Sequence, residues 1–555
     1  MVVTITAACE RTPCFSSELI QTQFEFFQDD LFTDLEIKVD GGSISCHRLV
    51  VAAHSSVIKA MLTSGMKEAL SNTVSLPSIS KAVMTEVIRF MYTGQVELDS
   101  EDILLHTLTA CDYLDLSTFK TPLLKCVIST VSVDNVFHML AFATEYNIPL
   151  LLDACHRVMY LSFEDVVKDE AFLAIGKEDM IDYLSKYNNY DIPADAVLQA
   201  FISWLERNPM HYDIKLDFID LSKCSSSVLN ECLDFCQDKF LTAKNLLTVL
   251  KTACSAEKKQ VVNALACVYG QGIITTTGEQ KFYKIHNSAF HLRYKATIPQ
   301  GFLLKRFPCL CVYDTSTMEL KELPQSRRSL LEGGIVSYRN GLAFCEGTKI
   351  GYWNNIYDDS YSAGPSFPDQ DFHFVKCLVS VRDELFLKCT DDGKLYVVKD
   401  NELISTSSIP GGAKIVKIIA VYDWILVIAK VKRRQCVMYW YSPKFDVWSK
   451  IFVPSDFSIG THTGSVDVAN RKLYIRKGKY YSAHCLTTLQ SKMARMRLPV
   501  SEHEEVKIVS LQVCKDLYEE KRKDAAVTSY DSESENEDNA DSESGSDTLS
   551  VLLGM

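Results

Sequence analysis

Apolar and polar positions alternate from Leu35 to Val39, which puts Leu35, Ile37 and Val39 on one side of an extended strand. Asp40-Gly41-Gly42 supplies the positive-φ positions of a tight turn, and Ser43 to Cys46 returns as the second strand of a hairpin. From Arg48 the apolar spacing becomes helical: Leu49, Val50, Ala53, Val57, Ala60 and Met61 predict one helix that Gly65 ends. Upstream, Glu18, Leu19, Ile20, Phe24, Phe26 and Phe27 predict an aromatic-rich helix ahead of Asp29-Asp30. Downstream, Thr73 to Leu76 reads as a strand closed by Pro77, and Val83, Val87, Ile88 and Met91 as a helix ending at Tyr92-Thr93-Gly94. Asp99 or Ser100 can cap the next helix, which runs through Leu104, Leu105, Leu108 and Cys111 to Tyr113-Leu114. From Ser132 to about Ala256 the pattern is almost purely helical, broken at Ile148-Pro149, Gly176, Ile192-Pro193 and Asn208-Pro209.

Beyond Gln260 the period shifts to that of strands, with short β-branched and aromatic runs between turn residues. Pro324, Pro368, Pro410, Pro454 and Pro499 are 44, 42, 44 and 45 residues apart. After each of the first four comes a turn with a greasy strand: R-N-G-L-A-F from Arg339, R-D-E-L-F-L from Arg382, Y-D-W-I-L-V from Tyr422 and N-R-K-L-Y-I from Asn470. A repeat of that length carrying several strands predicts the blades of a β-propeller, five or six in number. The run E-V-K-I-V-S-L-Q-V from Glu505 is expected to return to the first blade and close the ring, because an unpaired edge would expose its backbone groups.

The string from Asp34 to Glu68, D-L-E-I-K-V-D-G-G-S-I-S-C-H-R-L-V-V-A-A-H-S and onward, resembles the start of a BTB (POZ) domain, and the likeness extends over residues 17–131. The pieces N-V-F-H-M-L-A-F-A-T-E-Y, F-E-D-V-V-K-D-E-A-F-L-A-I and A-D-A-V-L-Q-A-F-I-S-W-L resemble a BACK domain, taken as 132–256. Y-S-P-K-F-D-V-W, Tyr441 to Trp448, resembles a kelch repeat, with Y-D-T-S-T-M-E-L from Tyr313 a weaker copy. Where kelch repeats carry a Gly pair, this chain has Glu346-Gly347, Lys388-Cys389, Ala429-Lys430 and Lys477-Gly478, so the propeller of residues 260–515 is degenerate. The expected fold class is multi-domain: an α/β BTB domain, an all-α BACK domain, an all-β kelch-type propeller and a disordered acidic tail over 524–555.

The resemblance implies a homodimer through Leu19, Ile20, Phe24 and Phe27, with Asp34 and Arg48 as a charged pair near the interface. It implies cullin-3 as a partner, held through Met66-Lys67-Glu68 in the hydrophobic-x-Glu pattern of cullin-binding BTB domains, with Tyr113 as a second contact. The implied function is that of a substrate adaptor of a cullin-3 ubiquitin ligase, whose propeller captures a protein. A cytoskeletal or transcriptional scaffold that does not bind cullin is the alternative. No enzyme is expected, since no nucleophile elbow, phosphate loop or His-Glu zinc motif occurs.

Charge sharpens this reading. The formal net charge is −13, and eight acidic residues without a Lys or Arg lie between Ser529 and Asp547, leaving −5 for the rest. That balance argues against binding nucleic acid, which needs clustered cations. Ser532, Ser534 and Ser544 each precede an acidic residue by three positions and are candidate phosphorylation sites. The compact basic run, Lys430, Lys432, Arg433 and Arg434, is the candidate substrate-binding cluster, and its partner would be acidic. Nineteen scattered cysteines and the lack of a long apolar run point to a cytoplasmic or nuclear protein that does not span a membrane. Cys224, Cys232 and Cys236 read as buried thiols, His47 as a structural histidine, and neither a metal nor another cofactor is expected.

Overall fold

The computed structural model describes residues 3–6, 14–63, 71–188, 192–212, 214–239 and 244–255, and from 261 to 528 the strands, helix and turns named below. The first unit comprises β1 (Val3–Thr6), α1 (Cys14–Gln28), β2 (Leu35–Asp40), β3 (Gly42–Cys46), α2 (Arg48–His54), α3 (Ser56–Thr63), β4 (Thr73–Ser80), α4 (Lys81–Thr93), β5 (Gln95–Leu98), α5 (Glu101–Tyr113) and α6 (Ser117–Thr130). β2 is the middle strand, antiparallel to β3 and parallel to β4. Leu35, Ile37 and Val39 are buried as their alternation predicts, and Gly41 takes φ 88° at the turn. α4 is buried on most sides, with Phe90 stacked on Phe119 at 3.8 Å between ring centroids.

Two local expectations need correction. The helix expected from Arg48 is two helices: Ser55 adopts extended backbone, and its hydroxyl accepts from the Ile58 amide at 3.1 Å as the cap of α3. The break resets the helical phase, so the buried positions are Val51, Ile58 and Leu62, whereas Leu49 and Ala53 are exposed. The strand expected to stop at Pro77 runs on to Ser80. β4 is an edge strand whose register shifts between Val39 and Asp40 of β2, and there the missing proline N–H goes unneeded.

The helical middle begins with α7 (Val136–Glu145) and α8 (Pro149–Leu161), and α9 to α14 lie within 163–255. Pro149 opens α8 at its first turn, where a missing N–H costs nothing. The remaining chain forms six sheets among the described residues: β9–β12 within 292–322, β13–β16 within 335–366, β17–β20 within 377–405, β21–β24 within 414–450, β25–β28 within 466–497, and a sheet ordered β29-β6-β7-β8-β30, in which β7 is Gly272–Thr276. In that last sheet β29 (Val506–Cys514) pairs along its whole length with β6 (Val261–Tyr269). A strand from the end of the repeat region thus completes the sheet that begins it. Each sheet touches the next through its first strands, and the β6 sheet touches β9, so the sheets follow one another around a ring, the arrangement of a kelch-type propeller.

The four greasy-strand turns occupy equivalent hairpins, between β13 and β14, β17 and β18, β21 (Lys414–Val421) and β22 (Trp424–Lys432), and β25 (Val466–Ala469) and β26 (Lys472–Lys477). Arg339, Arg382, Tyr422 and Asn470 all take positive φ there, as two-residue hairpins require. The second strands keep their pairing without the Gly pairs. After β29, α15 (Lys515–Asp524) and β30 (Val527–Thr528) form a segment without a sequence expectation, and β30 pairs with β8 (Phe282–Asn287) inside the range read as tail. Tyr518 of α15 is buried, with its hydroxyl 3.1 Å from Thr275 Oγ1.

Candidate partner-docking site

α5 faces the corner between α7 and α8 across a groove of about 790 Å³. His106, Thr109 and Tyr113 come from α5, Lys120 and Leu124 from α6, and Tyr146 and Pro149 from the corner. Helix ends place the two aromatics: Tyr113 closes α5 and Tyr146 follows α7, which leaves them 54% and 43% exposed. The walls are held by polar ties. Glu101 at the start of α5 accepts from Asn135 Nδ2 at 2.8 Å and lies 2.8 Å from His138 Nδ1, while the Ser55 hydroxyl donates to the Leu114 carbonyl at 2.7 Å. An Asp112–Lys120 ion pair marks the rim. Two exposed aromatics within a polar rim suit a protein segment. Burial lifts the Cys111 thiol far above its ordinary value, and among the described residues no group of three His, Cys, Asp or Glu could hold a metal. Met66, Lys67 and Glu68 lie outside the described residues.

The expected dimer residues divide. Leu19 and Ile20 of α1 are exposed, but Phe24 and Phe27 turn inward onto Tyr92, the Phe27 ring stacking at 4.9 Å. Asp34 and Arg48 meet through the main chain instead of the expected charged pair. The Arg48 amide donates to Asp34 Oδ1 at 2.7 Å, and the guanidinium donates to Asn72 Oδ1 and the Leu62 carbonyl. The cause is the start of α2, whose unpaired amide takes the carboxylate as a cap. Leu31, Phe32 and Leu49 add exposed apolar surface beside α1, at 46, 77 and 81% exposure. None is signalled by periodicity: Leu31 and Phe32 lie between α1 and β2, and Leu49 belongs to the apolar spacing that the break at Ser55 interrupts. His47 is hydrogen-bonded on both ring nitrogens, to Tyr92 Oη and the Leu31 carbonyl.

Blades of the propeller seat on α8. Trp424 Nε1 donates to Asp153 Oδ2 at 3.0 Å, the buried Arg157 lies over the Trp440 ring at 5.7 Å, and Tyr160 stacks near Trp424. Arg471 pairs with Glu164, and Ser162 Oγ lies 3.0 Å from Thr487 Oγ1. These residues read as ordinary core or surface in the sequence, where only a buried tryptophan beside a turn hints at a neighbour. The turn side of β22 therefore faces the helices. β22 has nine residues, so its other end, Lys432, lies about 27 Å away at ~3.4 Å per residue. Lys430 is half-buried near that far end; Arg433 and Arg434 lie outside the described residues, as do Ser532, Ser534 and Ser544. Cys224, Cys232 and Cys236 are buried, and burial lifts Cys232 to about 12 and Cys236 to about 11.

Comparison with known proteins places these features. The model of the BTB/POZ domain matches residues 24–128, and that of BACK, "BTB And C-terminal Kelch", matches 136–234. Kelch-like protein 23 of Homo sapiens is 31% identical over 180 residues, 32% of this chain and 32% of its own length. Kelch repeat and BTB domain-containing protein 2 of Homo sapiens is 27% identical over 194 residues, 35% of this chain and 31% of its own. The chain thus spans about a third of the length of the curated relatives it matches. The solved BTB domain of human Gigaxonin aligns at 25% identity over 22% of this chain and 97% of its own, with a TM-score of 0.19. A BTB/POZ match, a BACK match, kelch-like relatives and a ring of antiparallel sheets together make this chain a member of the BTB-BACK-kelch family.

Proposed function

We propose that the chain is a substrate adaptor of a cullin-3 ubiquitin ligase, active as a homodimer in the cytoplasm or nucleus. The groove between α5 and the α7–α8 corner receives the cullin, with Tyr113 as a contact and Met66, Lys67 and Glu68 on the connection that follows α3. The apolar surface of Leu19, Ile20, Leu31, Phe32 and Leu49 makes the two-fold contact. The propeller captures the protein to be modified, and the reaction is left to the ligase that the chain recruits. The observation that carries this reading is the groove itself: exposed aromatics from two domains, on walls tied by hydrogen bonds.

The test is co-purification of the cullin-3 amino-terminal region with the intact chain, with Tyr113→Ala, and with Met66→Ala plus Glu68→Ala. Loss of about 2 kcal/mol or more, upwards of ~30-fold in affinity, is expected for each variant while circular dichroism stays unchanged. An intact chain that ignores the cullin yet keeps its other partners would make it a non-catalytic scaffold instead.

A further inference from the structure

We propose that residues 529–555 lie across the far face of the chain's own propeller, the face remote from α8, as a removable acidic occupant. The inference rests on the reading of that face as the capture surface and names what must leave it. Three observations converge on it. First, cations gather at the far ends of the second strands, with Glu346 at the end of β14 (Gly341–Glu346), opposite Lys349, as the exception. Lys305 and Arg306 end β10 (Gly301–Arg306), Lys349 opens β15 (Lys349–Trp353), Lys388 ends β18 (Glu384–Lys388), and Lys430 and Arg476 stand near the ends of β22 and β26. These side chains are not free: Arg306 lies 3.5 Å from Glu322 Oε1, and Lys305, Lys388 and Arg476 are partnered as well. Such concentration is unexpected in a chain of net charge −13, and it focuses a positive field on one face.

Second, the segment that follows the described residues has the opposite composition. Residues 529–555 carry eight acidic side chains and no Lys or Arg, with Ser532, Ser534 and Ser544 placed for phosphorylation, which would add about −1.5 to −2 charges each. Third, the fold sets where that segment starts. α15 and β30 are fastened to the outer edge of the β6 sheet, through Tyr518 on Thr275 and Val527 opposite Tyr283. That sheet abuts the one containing β26. Thr528 leaves opposite Phe282, on the side of the helices, so the segment must climb the height of one outer strand, about 20 Å. Its 27 residues can span at most about 90 Å, so the acidic stretch reaches the β26 and β22 ends with length to spare. Tethering then supplies a high local concentration, so that even weak charge pairing keeps the face occupied.

The experiment uses the chain truncated after Thr528 and a labelled peptide of residues 529–555, phosphorylated at Ser532, Ser534 and Ser544, followed by fluorescence anisotropy. Saturable binding is expected at about 50 mM salt, weakening at least ~tenfold by about 200 mM. Replacing the eight acidic residues of the peptide with Asn and Gln should abolish it. Lys430→Glu with Lys432→Glu should weaken it at least ~tenfold, and the intact chain should bind the peptide at least ~tenfold more weakly than the truncated one, because its own segment is in place. No binding to the truncated chain, equal binding by intact and truncated chains, or indifference to the charge reversals would overturn the proposal. Cullin-3 co-purification read on the same two chains separates the outcomes: its loss strikes the ligase reading alone, whereas failure of the peptide experiment leaves that reading standing.

Discussion

Asp314 shows how a single carboxylate staples a blade. It accepts from the Ser316 hydroxyl and amide and lies 2.9 Å from Lys321 Nζ, and these partners, the Ser316 hydroxyl first, hold its pKa down at about 2. A depressed carboxylate stabilises the fold above its unfolded pKa of about 3.9 and ceases to do so as pH falls through its folded value. Its side chain is only 12% exposed, so Asp314→Asn should cost about 1–2 kcal/mol near neutrality in urea denaturation. The gap between the two proteins should close between about pH 4 and pH 2. A gap that persists at pH 2 would mean that shape, not charge, is what Asn lacks. The corresponding turn at Tyr441 to Trp448 is built from other bonds: Asp446 accepts from the Tyr441 hydroxyl at 2.9 Å, and Trp448 Nε1 donates to the Ser407 carbonyl. The kelch-like spelling of both turns was legible because the Asp314–Ser316 and Tyr441–Asp446 bonds stay within each turn, whereas the bond from Trp448 to Ser407, 41 residues away, was not. The Asp34–Arg48 contact was not, since which end of an arginine meets a carboxylate depends on where a helix starts.

Among elements, β29 matters most, because it joins the end of the repeat region to its beginning. Its Lys507 pairs with Asp467 of β25, a carboxylate that is fully buried, lies 3.7 Å from Lys417 of β21, and accepts from the Ile508 amide at 3.0 Å. Burial pulls the Lys417 pKa down despite Asp467, which itself is fully buried, so the three charges depend on one another. Asp467→Ala leaves two ammonium groups without their shared partner. A loss of about 3 kcal/mol is expected, with faster hydrogen exchange along β29 and β6 than in the β9 sheet. Uniform acceleration over all sheets would show that Asp467 does not act on the closure. The closing strand was readable in the sequence as an apolar run after the last repeat. The charged cluster was not, because its members are about forty to fifty residues apart in three different sheets. The same limit hid the seat on α8, whereas the split at Ser55 escaped because apolar spacing continues through it.

For the whole molecule, the order of units was legible from changes of period, and the ring from regular spacing, because both are properties of long stretches. The extra clasp of α15 and β30 was hidden by a polar composition that resembles a tail. The surface left over after all packing is assigned includes Phe32 and Leu49, both largely exposed in the single chain. Phe32→Glu with Leu49→Glu should convert a dimer to a monomer in sedimentation velocity without altering circular dichroism. A double variant that still sediments as a dimer would move the two-fold contact away from α1 and α2.

The hydrogen bond from Trp424 to Asp153, with Arg157 clamped against Trp440, makes the blades and α8 turn as one piece. In a paired molecule the two rims would then stand at a constant separation, like the jaws of a fixed calliper. A bidentate ligand whose two grips match that span would be retained far longer than one whose grips are nearer or farther apart, whatever its affinity for a single rim.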